Sequence, residues 1–372
     1  MLIAIYITTI VLSMATRSRK WNWFFYALVL CLLLWTSNGT YSDFDGYYFI
    51  FERINATQTN LVGATPGWFW LCRIAGEIGL NYYGMSLLLT IASCFFLHEL
   101  FSKFDANENI IWAAIFVFPL LINGIQIRFF FSMSIVAFGL RFLIFDNKFS
   151  LLKFIACVLI ATSIHSAAAI FAVLTLVLIY EKLRPMENVL ITLLVLMGTI
   201  VGVRIVPVLA KAYLYQSQYD RYIANSSTTT SIKWTASIVV CWICTILIFD
   251  LLIRITSIEC RKKYKEIGYD IVFKRVRTIL FLLGLTLPLL SFDRNFHRFI
   301  QLGYILDAIA LGIYWKNVRS EQFGTEVMKH KRLIAFAVYI IMMAPAIYSY
   351  QFIPSNMIAP LFRMVGFPTI FR

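Results

Sequence analysis

Charge is what this sequence has least of. Of its 372 residues only 14% are Asp, Glu, Lys or Arg, acidic residues number 19, and there are four histidines and nine prolines. Water-soluble folds carry about a quarter charged residues. A soluble globular protein is therefore excluded, and a hydrophobic content of 60% with a mean hydropathy of +0.77 says the same. Strand-period alternation is absent as well. Because only helices and closed barrels satisfy their backbone in lipid, the chain reads as an all-α polytopic integral membrane protein. No Gly-rich phosphate loop follows a strand pattern. No internal repeat and no Pro, Gly or Ser linker divides the chain, so 1–372 reads as a single polytopic membrane domain. The first apolar run has no basic residue before it and no small-residue pattern after it, so no cleavable leader is expected.

Metal chemistry also lacks material. The seven cysteines lie mainly inside apolar runs. Cys241 and Cys244 have CxxC spacing without a His or second pair nearby, so they read as small apolar helix residues, with a redox or zinc pair as the other reading. His98, His165, His297 and His330 offer no ligand spacing, and the expectation is no metal and no cofactor.

Long apolar runs are present in their place. They mark about twelve membrane segments, at 2–14, 22–37, 82–101, 110–126, 128–145, 151–163, 166–180, 188–206, 234–253, 278–291, 299–315 and 333–350. Residues 66–80 are apolar but hold Arg73 and Glu77, and read as an interfacial or re-entrant helix begun by Pro66. Cytoplasmic loops collect Lys and Arg. The richest such stretch, 254–277, carries Arg254, Arg261, Lys262, Lys263, Lys265, Lys274, Arg275 and Arg277, and is expected to be a basic cytoplasmic loop. Both termini then lie outside, with outer loops at 38–81 and 207–233. The net charge of +14 is thereby assigned to membrane anchoring, and no nucleic-acid partner is expected.

With that orientation the unusual polar residues collect on the outer face. Tyr41 to Arg53, YSDFDGYYFIFER, sets Asp43, Asp45, Glu52 and Arg53 among aromatics. Arg128 and His165 each lie between two apolar runs, Asp220 and Arg221 lie in the second outer loop, and SFDRNFHR supplies Asp293, Arg294, His297 and Arg298. Ionisable groups in hydrocarbon are costly unless paired or wetted, so the cluster marks an aqueous pocket. Arg128 is either a guanidinium snorkelling to the headgroups or an anion clamp able to grip a phosphate through two hydrogen bonds. His165, in SIHSAAAI, is either a hydrogen-bonded core histidine or a proton acceptor titrating near neutrality. Arg294 and Arg298, spaced i, i+4, would share a helical face and repel unless an anion such as a diphosphate bridged them; a loop tied through Asp293 is the alternative. Asp43 and Asp45 point to opposite sides if the chain is extended, and one could pair with an arginine or receive a sugar hydroxyl. The aromatics around them, Tyr47 among them, suit an interfacial belt or a sugar-stacking floor.

SDFDGYY after the second apolar run, an Arg heading a span (Arg128), a His in a short turn (SIHSAAAI) and a late Arg before an aromatic helix (Arg298 to Tyr304) together form an ordered series. It resembles the EpsG-like branch of the Wzy-type O-antigen and capsule polymerases over roughly residues 1 to 320. The resemblance implies a GT-C-like bundle in the bacterial inner membrane that joins undecaprenyl-diphosphate-linked repeat units on its outer face. It also implies Asp43, Tyr47, Arg128, His165 and Arg298 as family residues. His165 and Asp43 would then act catalytically, with Arg128, Arg298, Arg294, Asp45, Tyr47 and Arg221 binding the diphosphate and sugars. The expected partners are the lipid-linked oligosaccharide, membrane lipid, a chain-length regulator and a flippase. An O-antigen ligase and a lipid-linked oligosaccharide flippase or exporter are the competing functions.

Overall fold

The computed structural model describes residues 2–16, 21–35, 44–59, 64–145, 148–180, 232–266, 269–291, 294–317 and 325–351, with isolated positions at 182, 193 and 197. Among the described residues every regular element is helical. The order is α1 (Leu2–Ala15), α2 (Asn22–Trp35), α3 (Phe44–Thr57), α4 (Pro66–Glu77), α5 (Tyr82–Phe101), α6 (Glu108–Val117), α7 (Leu120–Ile125), α8 (Ile127–Ile144) and α9 (Ser150–Ile164). A 3-10 helix (Ser166–Leu176) then runs into α10 (Val177–Tyr180). After it come α11 (Ile232–Glu266), α12 (Tyr269–Leu283), two 3-10 stretches (Gly284–Ser291 and Arg294–Ile300), α13 (Gln301–Asn317) and α14 (Thr325–Gln351).

Three of these, α5, α8 and residues 237–256 of α11, are long and apolar enough to cross a membrane. Shorter apolar helices include α1, α2, α6 and α9. Their polar side chains are managed internally: Thr9, Ser13, Ser93 and Thr256 return their hydroxyls to the carbonyl four residues earlier, which satisfies them without water. Arg141 pairs with Glu99 at 2.5 Å and lies 3.9 Å from the centre of the Phe138 ring.

The packing follows the apolar faces. Helix α5 lies against α2 and α8, α8 against α9, and α4 against α9. Helix α13 lies between α6 and α11, and its residues are buried all round except Lys316, as expected of a helix apolar on every side. Its end is locked to the α5–α6 connection. The Asn107 amide donates to the Gly312 carbonyl at 2.9 Å, Lys316 pairs with Asp105 at 2.7 Å, and Asn317 Nδ2 donates to the Asp105 carbonyl at 3.2 Å. A methyl at Gly312 would come 2.6 Å from Ile111 Cγ1 and 3.0 Å from the Asn107 carbonyl oxygen, so only glycine permits this approach.

Three expectations change. The Asp45 region is the first turn of a helix rather than extended chain, so the alternation argument for Asp43 and Asp45 does not apply. Residues 254–266 do not form a loop; they continue α11 to Glu266, because Arg, Lys and Glu are good helix formers once past the apolar stretch. Within the same basic stretch Arg275 is buried, and its Nη1 donates to the carbonyls of Leu143 and Ile144 at 3.1 and 3.3 Å, capping the end of α8.

Candidate functional site

The site is assembled where α4 begins, α8 begins and α9 ends. Helix α9 stops at Ile164 because His165 adopts an extended backbone (φ −138°, ψ 108°). The last carbonyls of a helix need outside donors. Here Arg128 Nε supplies one, donating to the Ile164 carbonyl at 2.7 Å, while Ser132 Oγ adds a second donor at 3.0 Å to the Ala161 carbonyl, which already accepts the His165 amide at 2.8 Å. A cation at this position also complements the negative end of the helix dipole.

Arg128 makes a second bond, from Nη2 to Thr65 Oγ1 at 2.8 Å, and its guanidinium stands over the Trp68 ring at 5.7 Å. Nε with Nη2 is the side-on fork of a guanidinium. Both members of that fork are thus engaged within the protein, and the bidentate grip on a phosphate expected from the sequence cannot use that edge while these bonds stand. Thr65 closes the triangle by donating to the Ile164 carbonyl at 2.6 Å. Gly67 permits the approach of α4, since a Cβ there would fall 2.5 Å from Ser163 Oγ and 2.8 Å from the Ser163 carbonyl carbon.

His165 is half-buried, and its Nδ1 is buried without a hydrogen-bond partner among the described residues. Phe129 meets the imidazole edge-on at 5.7 Å and also meets Phe299 at 6.2 Å, so this ring links His165 to the Arg298 stretch. Burial, and then the positive fields of Arg128 and Arg298, push the imidazole down to about 4, with the residue's own backbone offsetting part of this. Titration near neutrality, expected from the sequence, is therefore corrected. His165 is neutral over the physiological range.

Arg298 lies in the 3-10 stretch Arg294–Ile300. In a 3-10 helix residues three apart eclipse, whereas residues four apart point about 120° apart. The i, i+4 spacing of Arg294 and Arg298 therefore does not by itself put them on one face, and the side chain of Arg294 lies outside the described residues. Tyr47 packs against Trp68 at 5.8 Å and so joins the Arg128 cluster at one remove. Asp45 is exposed in the first turn of α3, where a carboxylate suits the positive end of the helix, and its field reaches Tyr83 rather than His165. Asp43 and Arg221 lie outside the described residues. Of the expected residues, the structure therefore brings Arg128, His165 and Arg298 together, with Tyr47 adjoining through Trp68.

A family model, that of the EpsG family, matches residues 20–361, nearly the whole chain. The chain belongs to the EpsG family. No curated protein and no solved structure matches it. Among its described residues this EpsG-family protein is all-helical, with three helices long and apolar enough to cross a membrane, and Arg128, His165 and Arg298 all fall within the matched region.

Two residues of this EpsG-family chain escaped sequence reading. Thr65 reads as an ordinary N-cap ahead of Pro66, yet its hydroxyl makes no cap bond to α4. Asp307, inside the apolar run ILDAIALGIY, is fully buried in α13, with neither carboxyl oxygen hydrogen-bonded among the described residues. Ionisable residues within spans are rare, and that rarity was the available signal. Among the described residues no group of three His, Cys, Asp or Glu is arranged to hold a metal ion.

Proposed function

We propose that this protein is a membrane glycosyltransferase that joins undecaprenyl-diphosphate-linked oligosaccharide repeat units into O-antigen, capsule or exopolysaccharide on the outer face of the bacterial inner membrane. Membership in the EpsG family supports polysaccharide polymerisation. The observation that supports the chemistry is geometric: Arg128 bonds the carbonyl immediately before His165, and Phe129 bridges the imidazole to Phe299, the neighbour of Arg298.

Two guanidiniums around one point suit a diphosphate leaving group, whose negative charge grows as the glycosidic bond breaks; fixed cations stabilise that growth. His165 is neutral and so can accept the proton of the attacking sugar hydroxyl. A diphosphate bound between the arginines would offset their field and raise the basicity of the imidazole in the complex. Tyr47, partly exposed beside this cluster, can stack on a sugar ring, whereas Trp68 is fully buried and supports Tyr47 and Arg128 from below. A chain-length regulator and a flippase are the proposed working partners.

The test is deletion of the gene followed by a gel of surface polysaccharide. A polymerase leaves single repeat units on their carrier, and wild-type sequence restores the ladder. Absence of any repeat unit at the surface would point to a flippase. A retained ladder on the carrier lipid, never passed on, would point to a ligase.

A further inference from the structure

We propose that Thr65 is a positioning residue for Arg128, its hydroxyl fixing the guanidinium beside the His165 turn; this rests on the polymerase reading above. The argument begins with a bond Thr65 does not make. Threonine before Pro66 stands at the N-cap of α4, where a hydroxyl ordinarily accepts from the second or third amide of its helix. Here that bond is absent. The hydroxyl instead donates to the Ile164 carbonyl at 2.6 Å and accepts from Arg128 Nη2 at 2.8 Å.

Only a group that donates and accepts at once can occupy this position, which a hydroxyl does and an amide hydrogen or a methyl does not. Arg128 Nε donates to the same Ile164 carbonyl at 2.7 Å. Thr65 at the N-cap of α4, Arg128 of α8 and Ile164 of α9 thus close a ring of three hydrogen bonds immediately before His165. The start of α4 and the end of α9 also face each other with opposite helix-dipole ends, and the absence of a Cβ at Gly67 lets them meet. Thr65 does not touch substrate. It sets the plane of the guanidinium, and with it the donors that a diphosphate encounters.

The experiment is a double-substitution cycle on the full-length protein purified in detergent. It is read both by polymer formed from lipid-linked repeat units and by melting temperature. Thr65→Ser keeps the two-way hydroxyl and should retain most of both readouts. Thr65→Val keeps the shape but removes the hydroxyl, and should lose polymer formation by roughly tenfold, the scale of one hydrogen bond to a charged group. In an Arg128→Ala background Thr65→Val should cost nothing further in polymer formation. Full independent losses from the two substitutions, or a serine variant as poor as valine, would overturn the proposal. If the wild type forms no polymer, the polymerase reading falls by itself. The melting cycle then still decides the contact: non-additive shifts uphold the Thr65–Arg128 bond, and additive shifts remove it.

Discussion

Arg128 gives its Nε–H to the carbonyl oxygen of Ile164, 2.7 Å away and one residue before His165. A side chain that sequence alone offers as a ligand clamp is therefore also the cap of a neighbouring helix. Its loss has two separable costs, one to the fold and one to the chemistry.

Arg128→Lys preserves the charge but cannot make both bonds in one plane. We expect polymer formation to fall at least tenfold and the melting temperature to drop, since hydrogen bonds from charged groups contribute about 1.5–3 kcal/mol each. Lysine performing as well as arginine in both assays would show that only charge is used.

The lowered imidazole pKa has a definite sign. In the unfolded chain His165 titrates near 6.5, whereas in the fold it resists protonation until about 4. Acidification therefore places protons on the unfolded state first. The His165-linked share of stability is full above 6.5 and is lost as pH falls toward 4. His165→Gln should flatten that segment of the melting-temperature profile. Removing a nearby positive charge, as in Arg298→Gln, should move the imidazole titration upward, which NMR of the labelled histidine can follow. A downward or absent shift would separate Arg298 from His165.

If His165 accepts the proton, His165→Gln and His165→Ala should both lose about 10²- to 10⁴-fold in rate. Substantial activity in the glutamine variant would assign the histidine a hydrogen-bonding role. The base would then be sought in the Asp43 segment.

Gly67→Ala should damage the site even though alanine favours helices. The new methyl would meet the carbonyl carbon and oxygen of Ser163 at 2.8 and 2.9 Å, besides its hydroxyl. Because the backbone itself obstructs, adding Ser163→Ala should not restore polymer formation. Rescue by that second change would show the clash to be with the side chain alone.

Asp307→Leu should melt higher than wild type. The carboxyl is fully buried, and neither oxygen is hydrogen-bonded among the described residues, so an apolar group of similar size removes a desolvation cost. A lower melting temperature would reveal a partner that the carboxyl depends on. Loss of polymer in a variant that melts higher would mark Asp307 as a working group.

The ionisable residues were legible because in so apolar a chain each one needs a reason. Arg128, His165 and Arg298 stood out on that basis, and the fold brings them together. Secondary structure was legible where apolar runs are long, as in α5 and α8, and in the helix starting at Pro66. The 3-10 character of Ser166–Leu176 was not, since in a nearly uniform apolar run residues three and four apart look alike, and Arg294–Ile300 is too short for its period to be read. The i, i+4 argument for Arg294 and Arg298 presupposed an α-helix at that point. Thr65 was hidden for another reason: local rules assign its hydroxyl to its own helix, and only a contact 99 residues away along the chain diverts it.

The lock between Gly312 and Asn107 fixes more than local packing. With one end of α13 pinned by that hydrogen bond and by the Lys316–Asp105 pair, the helix cannot slide along its axis or rotate about it without breaking both. Its far end then serves as a fixed post for the segment that carries Arg298. A displacement of that arginine relative to α13 would fall on Arg294–Ile300, whose 3-10 hydrogen-bond geometry is poorer than that of an α-helix. The Asn107–Gly312 contact, far from Arg298 along α13, thus helps set where that arginine's segment begins.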